Sequence, residues 1–360
     1  MPHVNLIGWD NGVGLSRDLR LIEQALRDAG YRVSLQPARG RGKLRKWFGP
    51  WLQRARLAGR RLFGAERFDL NIMLEHVAPE YLQAAARNAF IPNPEWCLPR
   101  DVRRLRRVDG VMTKTRHAEH IFRSRGAAIA PIGFTSSDRY LPEVERQRTF
   151  LHLAGRSSAK RTRVVLETWA RHPEWPTLTV VQHPRMAEIR PQAANIVHRV
   201  DYLADAELRE LQNAHLFHVC PSETEGFGHY IVEALSVGAV VLTTDAAPMN
   251  ELVTQERGVL MPYSRTDRQH LATRYLVDAQ ALEAAVSTVL AMDDAALQAK
   301  QQAARAFFLD NDAAFRAQLV DAVAAMVGQP GSVGASVHDA QAPAVDPYPL
   351  PEAALPVAQA

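Results

Sequence analysis

A chain of 360 residues exceeds the size at which one hydrophobic core stops growing, so two α/β domains are expected rather than one. Its apolar share of 47% is ordinary for a globular protein, and its two cysteines, Cys97 and Cys220, lie far apart, which excludes a disulfide-built secreted domain and points to a reducing, cytoplasmic compartment. The opening Met1–Gly8 has no charged segment followed by a signal-length apolar core, and no stretch approaches about 18 uninterrupted apolar residues, so neither export nor membrane spanning is expected.

Short apolar runs bounded by turn residues alternate with longer helical patterns, the signature of parallel sheets with crossover helices. The first series of expected strands is Val4–Ile7, Arg32–Leu35, Leu70–Leu74, Ala89–Pro92, Gly110–Thr113 and Ala127–Pro131. Within it, residues 39–61 carry Arg39, Arg41, Lys43, Arg45, Lys46, Arg54, Arg56, Arg60 and Arg61 without one acidic residue, interleaved with Trp47, Phe48 and Trp51. Such a mixture suits an anionic membrane surface or another polyanion, or equally a solvated helix packed by its aromatics on the sheet. The turn-rich Gly133–Pro142 closes the first unit, placing the boundary near Glu145. A second series follows at Phe150–Ala154, Leu178–Gln182, Ile196–His198, Leu216–Cys220, Val240–Thr243 and Gly258–Met261. Past Thr266 the pattern reads as helical, with Ala281–Met292 and Ala295–Met326 rich in Ala, Gln and Leu, and Phe307, Phe308 and Phe315 expected to pack back on the first unit. From 327 to 360 the composition turns to Gly, Pro, Ala and Ser, too poor in large apolar residues to offset its ordering entropy.

The chemistry-bearing block is Pro221-Ser222-Glu223-Thr224-Glu225-Gly226-Phe227-Gly228, after an expected strand and before a helix running from about His229 to Gly238. Unpaired amides at that helix start make an anion site suited to a diphosphate. Glu225 in the loop and Glu233 in the helix present carboxylates at two depths, one for sugar hydroxyls and one for a ribose. After the first strand of the second unit, Gly155-Arg156 with Lys160 and Arg161 offer fixed cations for a leaving diphosphate. Gly12 and Gly14 form a turn that lets backbone approach a phosphate or sugar.

The 221–234 block resembles the E-x7-E motif of the retaining GT-B glycosyltransferases, in particular glycosyltransferase family 4. The resemblance implies a GT-B fold: two Rossmann-like α/β domains facing each other across a cleft, at 1–145 (acceptor side) and 146–300 (donor side), with a helix at 301–326 returning to the first domain and a disordered tail at 327–360. It implies sugar transfer from a nucleotide-sugar donor, with Glu225 on donor-sugar hydroxyls, Glu233 on the ribose, the amides around Gly226, Phe227 and Gly228 near the donor, and Gly12 and Gly14 in a loop facing it. Arg156 and Lys160, with Glu225, are the catalytic candidates; Gly155 and Arg161 join the donor-binding set. The family places its lysine five positions after the arginine, whereas Lys160 comes four on and Arg161 five on, leaving both open for that role. Glu251, in the turn-helix after Val240–Thr243, is a donor-site candidate because similar enzymes carry a glutamate there near the nucleotide.

Relatives carry a donor-touching histidine in the first domain where this chain reads Ile91-Pro92-Asn93-Pro94-Glu95-Trp96, so Asn93, Glu95 and the neighbouring His76 are the cleft candidates. Asp310-Asn311-Asp312 has the spacing of a metal-binding D-x-D but follows no strand; it reads as a helix boundary with an aspartate cap. No cofactor and no essential metal are expected, and the acceptor has no signature. Two rivals remain: a non-catalytic nucleotide sensor that binds nucleic acid or anionic membrane through residues 39–61, and a nucleotide-sugar epimerase of the same shape, against which the E-x7-E block argues.

Overall fold

The structure is a computed structural model that describes residues 1–9, 12, 14–37, 67–187 and 193–328. The basic run at 39–61 lies outside the described residues, as does the expected tail beyond Gly328. The first domain is a six-stranded parallel sheet in the order β2-β1-β3-β4-β5-β6, built from β1 (His3–Gly8), β2 (Arg32–Pro37), β3 (Phe68–Leu74), β4 (Ala85–Ile91), β5 (Gly110–Thr113) and β6 (Ile129–Pro131). Its described helices are α1 (Gly14–Asp28), α2 (Pro99–Arg104) and α3 (Arg116–Arg123).

The second domain repeats the plan with β7 (Gln147–Gly155), β8 (Leu178–Gln182), β9 (Ile196–Val200), β10 (His215–Cys220), β11 (Val240–Thr244) and β12 (Gly258–Met261), in the order β12-β11-β10-β7-β8-β9 and all parallel. Helices α4 (Thr162–Ala170), α5 (Asp205–Ala214), α6 (His229–Ser236), α7 (Met249–Leu252) and α8 (Ala279–Leu290) connect and flank these strands. Both sheets are thus Rossmann-like. In each, the strand order reverses beside the first strand, and ligands of open α/β sheets bind at the carboxyl ends of the strands there.

Side-chain alternation explains why both faces of the sheets are covered. In the first sheet Val4, Leu6, Leu70, Ile72, Leu74, Ala89 and Ile91 enter one core, whereas Ile7, Met73, Phe90 and Val111 enter another with Phe122. In the second, Phe217, Val219, Val240 and Leu242 pack with Phe150, Trp169 and Trp175, while Cys220 and Val241 face the opposite side.

That opposite side is continuous with the core of the first domain through α9 (Asp294–Val327), a single 34-residue helix. Asp293 caps its start by accepting from the Ala296 amide at 2.8 Å, and Gly328 ends it in a left-handed conformation. Ala304 and Phe308 sit against the second domain's helical layer, and Phe315, Leu319 and Val323 fill the face of the first sheet. Phe134 of the interdomain linker meets Phe315 at 4.8 Å.

Three local expectations are corrected. Beyond Thr266 the chain is not yet helical: β13 (Arg265–Gln269) and β14 (Ala272–Leu276) form an antiparallel hairpin whose two turn residues are His270, at φ 53°, and Leu271. Its outer positions are polar, so its period-two pattern carries little hydropathy contrast. Asp310-Asn311-Asp312 lies inside α9 rather than at a helix boundary: no glycine or proline interrupts the run, Asp312 pairs with Arg316 at 2.8 Å, and Asn311 donates to the Phe134 carbonyl at 2.7 Å. Phe307 packs beneath the Arg257 guanidinium of the second domain at 3.9 Å rather than on the first domain.

Truncating Phe315 removes a ring that is 1% exposed, and Phe315→Ala is expected to destabilise the chain by about 3–5 kcal/mol in equilibrium denaturation. A loss below about 1 kcal/mol would contradict the bracing role of α9.

Candidate active site

At the reversal point of the second sheet, β7 and β10 are neighbours whose following loops leave in opposite directions. Lys160, from the loop after β7, forms a salt bridge with Glu225, from the loop after β10. The ammonium also donates to Ser222 Oγ at 3.1 Å and sits 3.4 Å from the centre of the Tyr230 ring. Ser222 Oγ donates to Glu225 Oε1 at 2.5 Å and lies 2.5 Å from Tyr230 Oη, whose proton burial holds well above the usual phenol range. A cation, a carboxylate and two hydroxyls therefore meet where the sheet topology opens a crevice.

The loop is held rigidly. Thr243 and Thr244 hydroxyls donate to the carbonyls of Cys220 (2.7 Å) and Ser222 (2.6 Å), and the Glu223 amide donates to Ala159 O at 3.0 Å. Glu223, 3% exposed, is paired with Arg274 of the hairpin and lies 3.7 Å from Arg161. Arg161 also donates twice to Val277 O, at 3.0 and 2.9 Å. Of the two neighbouring cations, Lys160 reaches Glu225 and Arg161 turns away to Glu223. Arg156 is exposed in the loop after β7, and a Cβ added at Gly155, Gly12 or Gly14 would meet nothing within 4 Å among the described residues.

Gly228, at φ 104°, lets the chain turn abruptly into α6, whose Ile231 and Val232 amides close back on Gly228 O at 3.0 and 3.1 Å, so the His229 and Tyr230 amides are the ones ahead of the helical ladder. Phe227 is buried and stacks edge-on against Phe134 at 5.3 Å, so its side chain is core while its backbone lies in the loop. Gly226 meets the first domain: a Cβ there would lie 2.6 Å from Asn93 Oδ1 and 2.7 Å from Glu95 Oε1.

The remaining predicted carboxylates are engaged across the domain boundary. Glu233 is 4% exposed, pairs with Arg17 of α1, accepts from Ser136 Oγ at 3.3 Å and accepts from Gln212 Nε2 at 3.1 Å. Glu251 accepts from the Arg116 and His117 amides, both at 2.8 Å, and so caps α3 of the first domain. Burial raises its pKa, and the two amides oppose the rise. His76, at the end of β3, contacts the buried Asp101 through Nδ1 at 3.0 Å, and Asp101 also accepts from the Val77 amide.

A buried cluster that the sequence reading missed underlies this contact. Lys114, directly after β5, donates to Asp18 Oδ2 at 2.5 Å and to Asn93 Oδ1 at 3.0 Å, and lies 4.6 Å over the Phe134 ring. His229 Nε2, at the start of α6, is 2.7 Å from Asp18 Oδ1, with Nδ1 3.1 Å from Ser136 Oγ. Burial alone would raise the Asp18 pKa, but Lys114 and His229 outweigh it and hold the carboxyl below its usual range. The signal that could have found these residues is positional: a lysine immediately at a strand's carboxyl end, and an aspartate one turn past a glycine-rich loop. Among the described residues, no group of three or more His, Cys, Asp or Glu comes together as a metal site.

Comparison with known proteins bears on this arrangement. Residues 147–291 match the family model described as glycosyl transferases group 1. Structural similarity extends over both domains: HepE of Anabaena, solved in complex with UDP and glucose, aligns with a TM-score of 0.65 and 13% identity over 90% of this chain and 100% of that one. A glycosyltransferase from Rickettsia africae ESF-5 aligns with a TM-score of 0.63 and 13% identity, covering 91% of this chain and 98% of that one. The structural matches show a GT-B architecture spanning both domains, and the family match covers 147–291 within the second. The GtfA/B complex gives a TM-score of 0.58 at 15% identity over 78% of this chain, which spans only 61% of that longer one. A search of curated proteins gave no match.

Removing the ammonium of Lys114 would leave a 2%-exposed Asp18 carboxylate without its principal counter-charge. Lys114→Ala is expected to destabilise the fold by about 3–5 kcal/mol in urea denaturation, and pairing it with Asp18→Asn should recover part of that loss.

Proposed function

We propose that this chain transfers a sugar from a nucleotide-sugar donor to an acceptor hydroxyl, with retention of anomeric configuration and without an essential metal. The observation that carries the reading is the Lys160–Glu225 pair above the β7/β10 reversal, beside the amino end of α6. A leaving diphosphate gathers negative charge as the glycosidic bond breaks. Lys160, Arg156 and the first-turn amides of α6 supply fixed positive charge for it in a partly dry cleft. Glu225 accepts hydrogen bonds from donor-sugar hydroxyls.

In the proposed step the bond from the anomeric carbon to the diphosphate oxygen breaks and a bond to the acceptor oxygen forms on the same face. The acceptor proton passes to the departing phosphate, so no protein nucleophile is assigned. Retention and the assignment to family 4 rest on the E-x7-E resemblance. A UDP-linked donor has the first claim to be tested, because the similar HepE structure holds UDP and glucose. A reducing, cytoplasmic setting belongs to the proposal, supported by two free, buried thiols, Cys97 and Cys220. Contact with an anionic membrane surface or another polyanion belongs to the proposal through residues 39–61, on their charge. Among the described residues no helix is long and apolar enough to cross a membrane.

Thermal stabilisation by UDP, GDP, ADP and CMP, with and without EDTA, tests the donor side. One nucleotide should raise Tm and EDTA should leave the shift unchanged; no shift from any of the four removes the reading. Glu225→Gln should lower turnover of the stabilising nucleotide's sugar conjugate by about 100-fold or more. Its circular dichroism spectrum should match the wild type, and full activity in that variant sinks the assignment.

A further inference from the structure

Glu95 is a cleft carboxyl that the transfer step above leaves without a task. It sits in the Pro94–Trp96 turn after β4, and the hairpin grips that turn: the Leu271 amide donates to Pro94 O and Gln269 Nε2 donates to Glu95 O, both at 3.2 Å. On its other side the carboxyl lies against Gly226, where any Cβ would collide with Oε1. The residue is 8% exposed, and Oε2 is fully buried with no partner among the described residues. A buried, unpaired carboxyl oxygen in native packing calls for an explanation, and in a cleft a bound ligand supplies one.

The titratable groups that face it are Glu225 from the donor loop, Lys114 after β5 and Glu75 after β3. Lys114 is already committed to Asp18 and Asn93. Burial, reinforced by the charge of Glu225, pushes the Glu95 pKa up to about 8. At neutral pH the group therefore keeps its proton and acts as a hydrogen-bond donor, whereas Glu225, already receiving Lys160 and Ser222, acts as an acceptor.

We propose that Glu95 is a specificity-determining residue for the donor sugar: its Oε2 hydroxyl donates to a free sugar hydroxyl that in turn donates to Glu225. The substrate class is a nucleotide sugar unsubstituted at that position, with deoxy and O-alkyl analogues rejected. This inference rests on the sugar-transfer reading. Its physical basis is that a buried pair matched to one hydroxyl is left unsatisfied by an analogue lacking it.

The test follows release of nucleoside diphosphate from UDP-glucose, GDP-mannose and ADP-glucose, and from the monodeoxy analogues of the conjugate turned over. Wild-type kcat/KM should fall as pH rises through about 8, because ionisation removes the donated proton. Glu95→Gln, which still donates, should stay within about threefold of wild type at pH 7 and lose the alkaline decline. Glu95→Ala should lose about 30-fold or more and tolerate one monodeoxy donor that the wild type rejects. Wild-type kcat/KM and discrimination in Glu95→Ala overturn the assignment, as does an alkaline decline that persists in Glu95→Gln, a readout that survives if the alanine variant does not fold. If the wild type turns over none of the three conjugates and UDP, GDP and ADP leave Tm unmoved, the sugar-transfer reading itself falls and this inference with it.

Discussion

The buried Asp18–Lys114 pair is the constraint on which the rest of the cleft depends. Taking two charges out of water costs several kcal/mol for each ion, so such a pair persists only where hydrogen bonds complete its shell. Here Asn93, Phe134 and His229 complete it, and they come from three places: the first domain, the linker and the start of α6. The pair thereby fixes where α6 begins relative to α1, and with it the height of Glu225 above the crevice. The linker adds a second tie through Arg139, which donates to both oxygens of Asp205 at 2.9 Å and to Gln212 Oε1 at 2.8 Å.

The three carboxylates expected on the donor are already satisfied by the protein: Glu225 by Lys160, Glu233 by Arg17, Ser136 and Gln212, and Glu251 by the amides of α3. Two of the three sets cross the domain boundary. A donor entering under the proposed reading exchanges these internal contacts for its own, so its net affinity is a difference between two well-made sets of hydrogen bonds. That balance suits a cleft which must release product as readily as it takes up substrate.

Much of this was legible in the amino-acid order. All twelve parallel strands overlap the short apolar runs that marked them, most clearly in strands buried throughout such as Leu178–Gln182 and Val240–Thr244. Lys160 and Glu225 were each marked by their places after expected strands, but that they pair with each other was not foreseen. What escaped detection was polar and long-range. Asp18 and Lys114 are 96 positions apart, and neither residue type announces a partner at that separation. The hairpin escaped because β13 is polar throughout and the buried Ala272 and Leu276 of β14 are too few to mark an alternation, and Asp310–Asp312 misled because local composition resembles a cap that tertiary packing overrides.

The long final helix has a temporal consequence. Phe315, Leu319 and Val323 complete the same core as Val4, Leu6, Leu70 and Ile72, residues that leave the ribosome long before them. The first domain therefore waits with the part of one sheet face that α1 does not cover exposed while the entire second domain is made. At ordinary elongation rates of about 5–20 residues per second, that interval lasts on the order of ten seconds or more. During it, the nascent sheet is exposed to aggregation and to chaperones. Mutations in the last turns of α9 should therefore be felt first as loss of yield during biosynthesis, before any change in the catalytic properties of the molecules that mature.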